Sequence, residues 1–306
     1  MKTKRDKVKI GIVVEYNPFH NGHIYQLNWI KEKFPNSKII VAMSYKYSQR
    51  AEYICVSWNQ RKKIAKKYGV SKFIKLNNKI SAQAAHIFAN EAVKKLNKEK
   101  IDYLVFGSET GDITQFLKIA YILKYKKDQY NKLIKKYLKT GGNSFPKSSA
   151  LAIHDLSNYS LTAPNDILGI EYVKSIVENN FNIKPLCLQR TIGFHSLDAV
   201  GEFTSATNLR KMALNNQDIS KYTPMKITKF KRIEDTYTKF QKFVKKTNAQ
   251  KLKNYKMVDE GIENLFKKNI EYNNYSDFID SCVSRRYTRN RIKRTYLSIL
   301  LKSKRD

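Results

Sequence analysis

Residues 9–34 join a β-branched apolar run, an Asn-Pro break and an amphipathic stretch with almost nothing between them. Few folds accept that succession. Lys9–Glu15 reads as a strand, and Ile24, Leu27, Ile30 and Phe34 recur at helical spacing over Ile24–Phe34. Asn17-Pro18 ends the strand, because the residue before a proline is biased to extended geometry and proline has no N–H to donate. Gly22 lets the backbone come close to a ligand, and the spacing predicts a helix beginning near His23. A helix N-terminus at the carboxyl edge of a parallel strand presents free N–H groups and the positive end of the helix dipole to an anion. His20 and His23 stand three apart, so both rings can sit on one side of that first turn. They are the candidate catalytic pair: two imidazole donors suited to a phosphate chain and to charge developing at an α-phosphorus as pyrophosphate leaves. A lone His-x-Gly-His tetrapeptide also arises by chance, and its position directly after the first strand gives it weight.

The alternation continues. Lys38–Met43 and Asp102–Phe106 read as strands, the second stopped at Gly107. Ser57–Tyr68 reads as a basic helix opened by a Ser cap, and Ala82–Leu96 repeats apolar residues at a helix period. Lys124–Lys139 reads as one basic helix, broken by Gly141, Gly142 and Pro146. Asn165–Val177 is expected to be a helix, Lys184–Arg190 a strand, and Ser205–Leu214 a helix with Thr204 or Ser205 as its N-cap. Strands alternating with helices predict an α/β fold, a parallel sheet covered by helices. After about Asn216 the texture becomes helical, basic and rich in Tyr and Phe, which puts a boundary near residues 216–225, around Pro224. The expected division is 1–218 and 219–306.

The charge balance narrows the partners. The chain carries 59 Lys+Arg against 26 Asp+Glu, a formal net charge of +33. A genome rich in A and T raises Lys, but it does not require a shortage of acids, so the excess points to a polyanion. The charge is spread along the chain with no isolated amphipathic anchor, and no run of about 18 apolar residues appears, so a membrane partner is not expected. The basic-then-apolar N-terminus is short, contains Glu15 and reads as a strand, not a signal peptide. Cys55, Cys187 and Cys282 are far apart, with no CxxC or Cys/His cluster, which fits a reducing cytoplasm and no structural metal site.

Longer motifs carry a resemblance. Val13-Val14-Glu15-Tyr16-Asn17-Pro18-Phe19-His20-Asn21-Gly22-His23 resembles the signature of the bacterial tRNA(Met) cytidine acetate ligases, a family of the HxGH nucleotidyltransferase superfamily. Further matches follow in order: FGSETGD from Phe106, PNDILG from Pro164, Arg190 at a strand end, and SATNLRK from Ser205. The resemblance implies a Rossmann-like HUP/nucleotidyltransferase sheet with flanking helices and a smaller, helical, basic C-terminal domain. It implies a reaction in which ATP and acetate give acetyl-adenylate and pyrophosphate, after which the acetyl group passes to N4 of the wobble cytidine of elongator tRNA(Met), releasing AMP. It also implies that Val13, Val14, Glu15, Tyr16, Asn17, Pro18, Phe19, His20, Asn21, Gly22, His23, Ile24, Tyr25 and Gln26 surround ATP, with contacts from Gly107, Asn165 and Arg190. Mg²⁺ is expected to come with ATP, with or without a protein ligand.

Ser205, Thr207 and Arg210 lie at a helix start and are a second candidate phosphate contact. Glu109, in a loop after a strand, is a candidate to orient a metal or ribose against the alternative of a solvated acid. His86 lies on a helix edge and reads as structural; His154 and His195 have no metal-ligand spacing to each other and read as surface or core residues, with His195 following Arg190 closely enough to approach tRNA. Arg232, Arg285, Arg286, Arg289, Arg291 and Arg294, with Lys229 and Lys231, form the candidate tRNA footprint, against the alternative of a solvated basic face. Between Ser44 and Tyr53 the chain keeps Gln49, Arg50 and Glu52 of the family's pattern and lacks its two glycines and proline. Two other functions share these features. One is a small-metabolite adenylyltransferase, which needs no such basic C-terminal region. The other is an RNA-binding relative with reduced catalysis.

Overall fold

A computed structural model describes residues 7–160, 163–190, 201–227 and 230–305. The strand-like runs near the N-terminus become β1 (Lys9–Val14) and β2 (Lys38–Ser44), followed by β3 (Val70–Leu76), β4 (Tyr103–Ser108) and β5 (Lys184–Gln189). All pair in parallel, in the order β3-β2-β1-β4-β5. The chain thus winds outward from β1 to β3, then returns to lay β4 on the other side of β1. Open α/β sheets bind ligands beyond the carboxyl ends of the strands at such a reversal. Here the two strands also separate. β1 pairs with β2 over six residues but with β4 only at Ile10↔Tyr103 and Gly11↔Leu104.

Helices α1 (Asn21–Lys33) and α2 (Trp58–Lys67) follow the first two strands, and α3 (Asn78–Ser81) and α4 (Ala85–Lys98) lead to β4. Four helices separate β4 from β5: α5 (Ile113–Tyr125), α6 (Lys127–Gly141), α7 (Phe145–Ser157) and α8 (Pro164–Glu178). Then come α9 (Ala206–Leu214), α10 (Tyr237–Lys246), α11 (Ala249–Leu252), α12 (Ile262–Asn269), α13 (Tyr275–Ser281) and α14 (Arg289–Leu300). The two-residue period of β2 sorts its side chains between the faces. Ile40 and Ala42 pack under α4 and α8, while Ile39, Val41 and Met43 join Leu27 and Ile30 of α1. A third cluster gathers Phe240, Phe266, Phe278 and Tyr296 from the C-terminal helices, and it takes in Tyr47, Ala51 and Ala82 from the first part of the chain. Among the described residues no helix is long and apolar enough to cross a membrane.

Several elements differ from the sequence reading. The basic helix expected over Lys124–Lys139 is the end of α5 and most of α6, which meet at Lys126. β3 has no counterpart in the strand pattern of the sequence. It is an edge strand whose Ser71, Lys72 and Lys75 are exposed, so its apolar residues do not alternate. β4 continues through Gly107 to Ser108, and α1 starts two residues before His23 because His20 caps it; of the two caps open for α9, Ser205 is the one used. His195 and Lys229 lie outside the described residues.

One side chain ties the carboxyl ends of β1 and β2. Arg61, on α2, is fully buried, and its guanidinium donates to the carbonyls of Val56, Glu15, Ser44 and Tyr45. Carbonyls leaving a sheet end cannot stay unpaired in a dry interior, and one planar fork satisfies four of them. Burial lowers the Arg61 pKa to about 10, which leaves it charged at neutral pH. Replacing Arg61 by Met keeps much of the stem and strands the carbonyls. The expected loss is about 3–5 kcal/mol, read from urea denaturation, with Arg61→Lys recovering only part of it.

Candidate active site

A cavity of about 570 Å³ opens where β1 and β4 separate. β1 and its turn supply Val13, Val14, Glu15, Tyr16 and Asn17, and the start of α1 supplies His20, Gly22, His23, Tyr25 and Gln26. Gly107 comes from β4, Asn165 from α8, Arg190 from the end of β5, and Ser205, Thr207 and Arg210 from the start of α9. Four residues expected around the nucleotide are not on this wall. Pro18 is buried behind it. Phe19 is fully buried and packs its ring on Tyr16, His23 and Tyr68. Ile24 joins the apolar cluster beneath β1. Asn21 turns away, and its amide nitrogen donates to the carbonyls of Glu202 and Lys221 at 2.8 and 3.0 Å. These residues brace the site from behind.

The two histidines carry the geometry. Gly22 N–H donates to His20 Nδ1 and His20 N–H donates to His23 Nδ1, each at 3.1 Å. Each ring therefore satisfies a backbone donor at the helix start that has no intrahelical partner. The ring centroids lie 3.8 Å apart. A Cβ on Gly22 would stand 2.9 Å from His20 Cε1, so glycine is what lets the ring cross the helix start. Burial, then the charges of Arg190 and Arg210, push His20 down to about 3. Burial, His20 and Arg190 hold His23 well below its ordinary value. Both rings are thus neutral near pH 7. With Nδ1 accepting a hydrogen bond, the proton of each ring resides on Nε2. The site offers two fixed N–H donors with no histidine charge.

The β4 side of the cavity is locked to α8. Asp166 Oδ1 accepts from Ser108 Oγ at 2.6 Å and from Glu109 N–H at 2.9 Å. In return, Glu109 accepts from Asp166 N–H and, at 2.5 Å, from Asn165 Nδ2. Glu109 is therefore a brace that aims Asn165 and does not itself stand on the cavity wall. A Cβ on Gly107 would come 3.4 Å from Arg190 Cγ, so the two share one corner. Among the described residues no group of three or more His, Cys, Asp or Glu side chains could hold a metal ion.

The opposite wall is the hairpin over 46–54. Tyr47 and Tyr53 bridge across it, and Ala51 closes it at φ 62. Gln49 N–H donates to Glu15 at 2.6 Å; burial raises the Glu15 carboxyl, against that hydrogen bond and Arg210. Burial alone would also raise Glu52, but Lys293 at 2.9 Å, Arg210 and Arg50 outweigh it and hold the carboxyl below its usual range. Arg210 further donates to the carbonyl of Asn17 at 2.8 Å, so α9, the hairpin and the histidine turn are joined.

The arginines expected to bind tRNA divide. Arg294 lies on the cavity wall and donates to the carbonyl of Gln49 at 2.9 Å. Arg286 pairs with Glu260, Arg289 with Asp280, Arg291 with Asp259 and Glu260, and Arg232 with Glu234. Arg285 is exposed and makes no ion pair among the described residues. His154 is exposed, as read. His86, read as structural, stands on the cavity wall near Phe145. Arg61 and the wall position of Arg294 escape sequence reading, since each rests on partners far away in the chain.

The sequence profile of the HIGH Nucleotidyl Transferase family matches residues 8–306. A Mycoplasmopsis synoviae (strain 53) protein named tRNA(Met) cytidine acetate ligase is 59% identical over 97% of this chain and 98% of its own length. Two crystal structures of Thermotoga maritima TmcAL superpose on the fold. The apo form I does so with a TM-score of 0.89 and the form bound with alpha-thio ATP with 0.87; both are 27% identical and cover 97% of this chain and 76% of theirs. The chain belongs to the tRNA(Met) cytidine acetate ligase family of HIGH nucleotidyl transferases.

Proposed function

We propose that this chain is an ATP-dependent acetate ligase that forms N4-acetylcytidine at the wobble position of elongator tRNA(Met) through acetyl-adenylate. The relatives' name supports the reaction, and the alpha-thio ATP of the similar structure supports the nucleotide. One observation carries the reading: His20 and His23 stand neutral on the wall of the cavity at the sheet reversal, each with Nδ1 already accepting from the backbone. In the first step an acetate oxygen attacks the α-phosphorus of ATP, the bond to the β-phosphate oxygen breaks, and pyrophosphate leaves. The Nε2–H groups, Arg190 and the N-termini of α1 and α9 face the charge that gathers on the phosphates. In the second step N4 of cytidine attacks the acetyl carbon, the C–O bond to AMP breaks, and the amine sheds a proton as AMP departs. Mg²⁺ arrives with ATP as its counter-ion.

Residues 1–218 are the nucleotidyl-transfer part and 219–306 the part that holds tRNA, with Arg232, Arg285, Arg286, Arg289 and Arg291 toward the nucleic acid and Arg294 in the cavity. The target base lies in a single-stranded loop, where leaving the stack costs little. A tRNA substrate implies a cytoplasmic enzyme.

The direct test mixes purified protein with ATP, labelled acetate and elongator tRNA(Met), and reads nucleosides by mass spectrometry. Acetylated cytidine is the expected product. Pyrophosphate release that needs neither acetate nor tRNA would point to a small-metabolite adenylyltransferase instead.

His20→Asn keeps an oxygen able to cap α1 but removes the Nε2 donor. Acetate-dependent ATP–pyrophosphate exchange should fall about 10²–10³-fold, and His23→Ala should do the same. The depressed histidine pKa values add a pH signature. kcat/KM for ATP reports the free enzyme's ionisations, so it should show no inflection near 6.5 from these rings. Stability has a matching sign. Between pH 6.5 and about 3 the unfolded histidines bind protons that the folded His20 refuses, so stability is lost as pH falls. His20→Asn should lose less of its thermal stability over that range.

A further inference from the structure

The basic stretch Lys124–Lys139 has no task in the active site. It spans the end of α5 and most of α6, and α6 packs against α7, which contributes Phe145, Pro146 and Ser149 to the cavity wall. The helix pair is therefore one layer removed from the cavity. Residues 113–141 hold eight lysines against a single acid, Asp128. All but Lys124 are exposed, and Lys124 donates to Val177 and Asn180. Lys132, Lys135, Lys136 and Lys139 make no ion pair among the described residues.

Aromatic rings accompany the charge. Thr114, Lys118, Tyr121 and Tyr125 fall on one exposed stripe of α5, at intervals of four, three and four residues. Tyr121 is 48% and Tyr125 75% exposed. Their rings stack 6.2 Å apart with planes 8° from parallel, and neither phenol makes a hydrogen bond to a described residue. Two parallel rings held in water on a lysine-rich face match what a single-stranded nucleic acid requires: a planar surface for a base and cations for its phosphates. An acidic protein would pair with the lysines but leave the ring faces unused.

We propose that the outer face of α5 and α6 is a second RNA platform. An unpaired base of the tRNA stacks on the Tyr121–Tyr125 pair, and backbone phosphates run along Lys132, Lys135, Lys136 and Lys139. The proposal rests on the tRNA-ligase function proposed for the cavity, and the experiment separates the two. Tyr121→Ala/Tyr125→Ala and Lys132→Gln/Lys135→Gln/Lys136→Gln/Lys139→Gln are compared with the parent in acetylation of elongator tRNA(Met). The expected result is a rise of about tenfold or more in KM for tRNA. Acetate-dependent ATP–pyrophosphate exchange without tRNA should be unchanged. The lysine variant should also flatten the salt dependence of tRNA binding, by about 0.7–0.9 log units per log salt for each phosphate it no longer neutralises. As a separate readout, Tyr125→Trp should keep its tRNA affinity and show quenching of the added indole emission on binding. Unchanged KM in both multiple variants, or an indole indifferent to tRNA, overturns the platform while leaving the ligase intact. A parent protein that binds no tRNA sinks both.

Discussion

The cavity exists because β1 and β4 part company after two residue pairs. A parallel sheet that opens at its centre exposes the carboxyl ends of its strands, and those ends carry carbonyls that need donors. The chain meets that need with side chains rather than with water. Arg61 satisfies the β1 and β2 ends from below, and the mutual caps among Ser108, Glu109, Asn165 and Asp166 fasten β4 to α8. Both rims are thereby held at a defined separation before any ligand arrives. Preorganised donors act without reorganisation at the moment of reaction, so the packing beneath the site and the chemistry above it are one problem.

The same arrangement explains why the histidines are neutral. Arg190, Arg210, Arg50 and Arg294 all reach the cavity; Glu15 and Glu52 answer Arg210 and Arg50, Glu109 answers Arg190, and Glu171 also stands on the wall. Burial comes first, because a desolvated imidazole sheds its proton, and the charges of Arg190 and Arg210 at His20, and of Arg190 at His23, add to it. The cost of gathering the arginines is offset when a polyanion enters. A ligand that binds only the folded state stabilises it, which makes a triphosphate a structural partner of this wall as well as a substrate of the proposed reaction.

How much was legible follows from range. β1 and the cap at Ser57 are local patterns that read from spacing alone; the same spacing sets the start of α1 two residues late and leaves Thr204 or Ser205 open at α9. β3 did not read that way, because an edge strand with one solvated side loses its alternation. The join at Lys126 did not, because neither Gly nor Pro marks it. Asn21 and Glu109 belong to recognisable motifs, yet their work is bracing across some 181 and 56 residues of chain. A motif names the residues that matter, but only the fold separates those that face the ligand from those that hold the others in place.

The hairpin over 46–54 shows how a departure from a family pattern can be absorbed. Ala51 holds φ 62 with no exposed surface, a conformation that costs a non-glycine residue about 1–2 kcal/mol. The turn's own bonds among Ser48, Ala51 and Glu52 offset part of that. Further support is tertiary: Ala51 and Tyr47 are packed into the core of the C-terminal helices, Arg294 holds the carbonyl of Gln49, and Lys293 holds Glu52. Glu52 in turn meets Arg210, which grips the carbonyl of Asn17 beside the histidine turn. The C-terminal helices are therefore not an appendage that merely carries charge. They fix one wall of the cavity, so whatever shifts α14 also shifts the site.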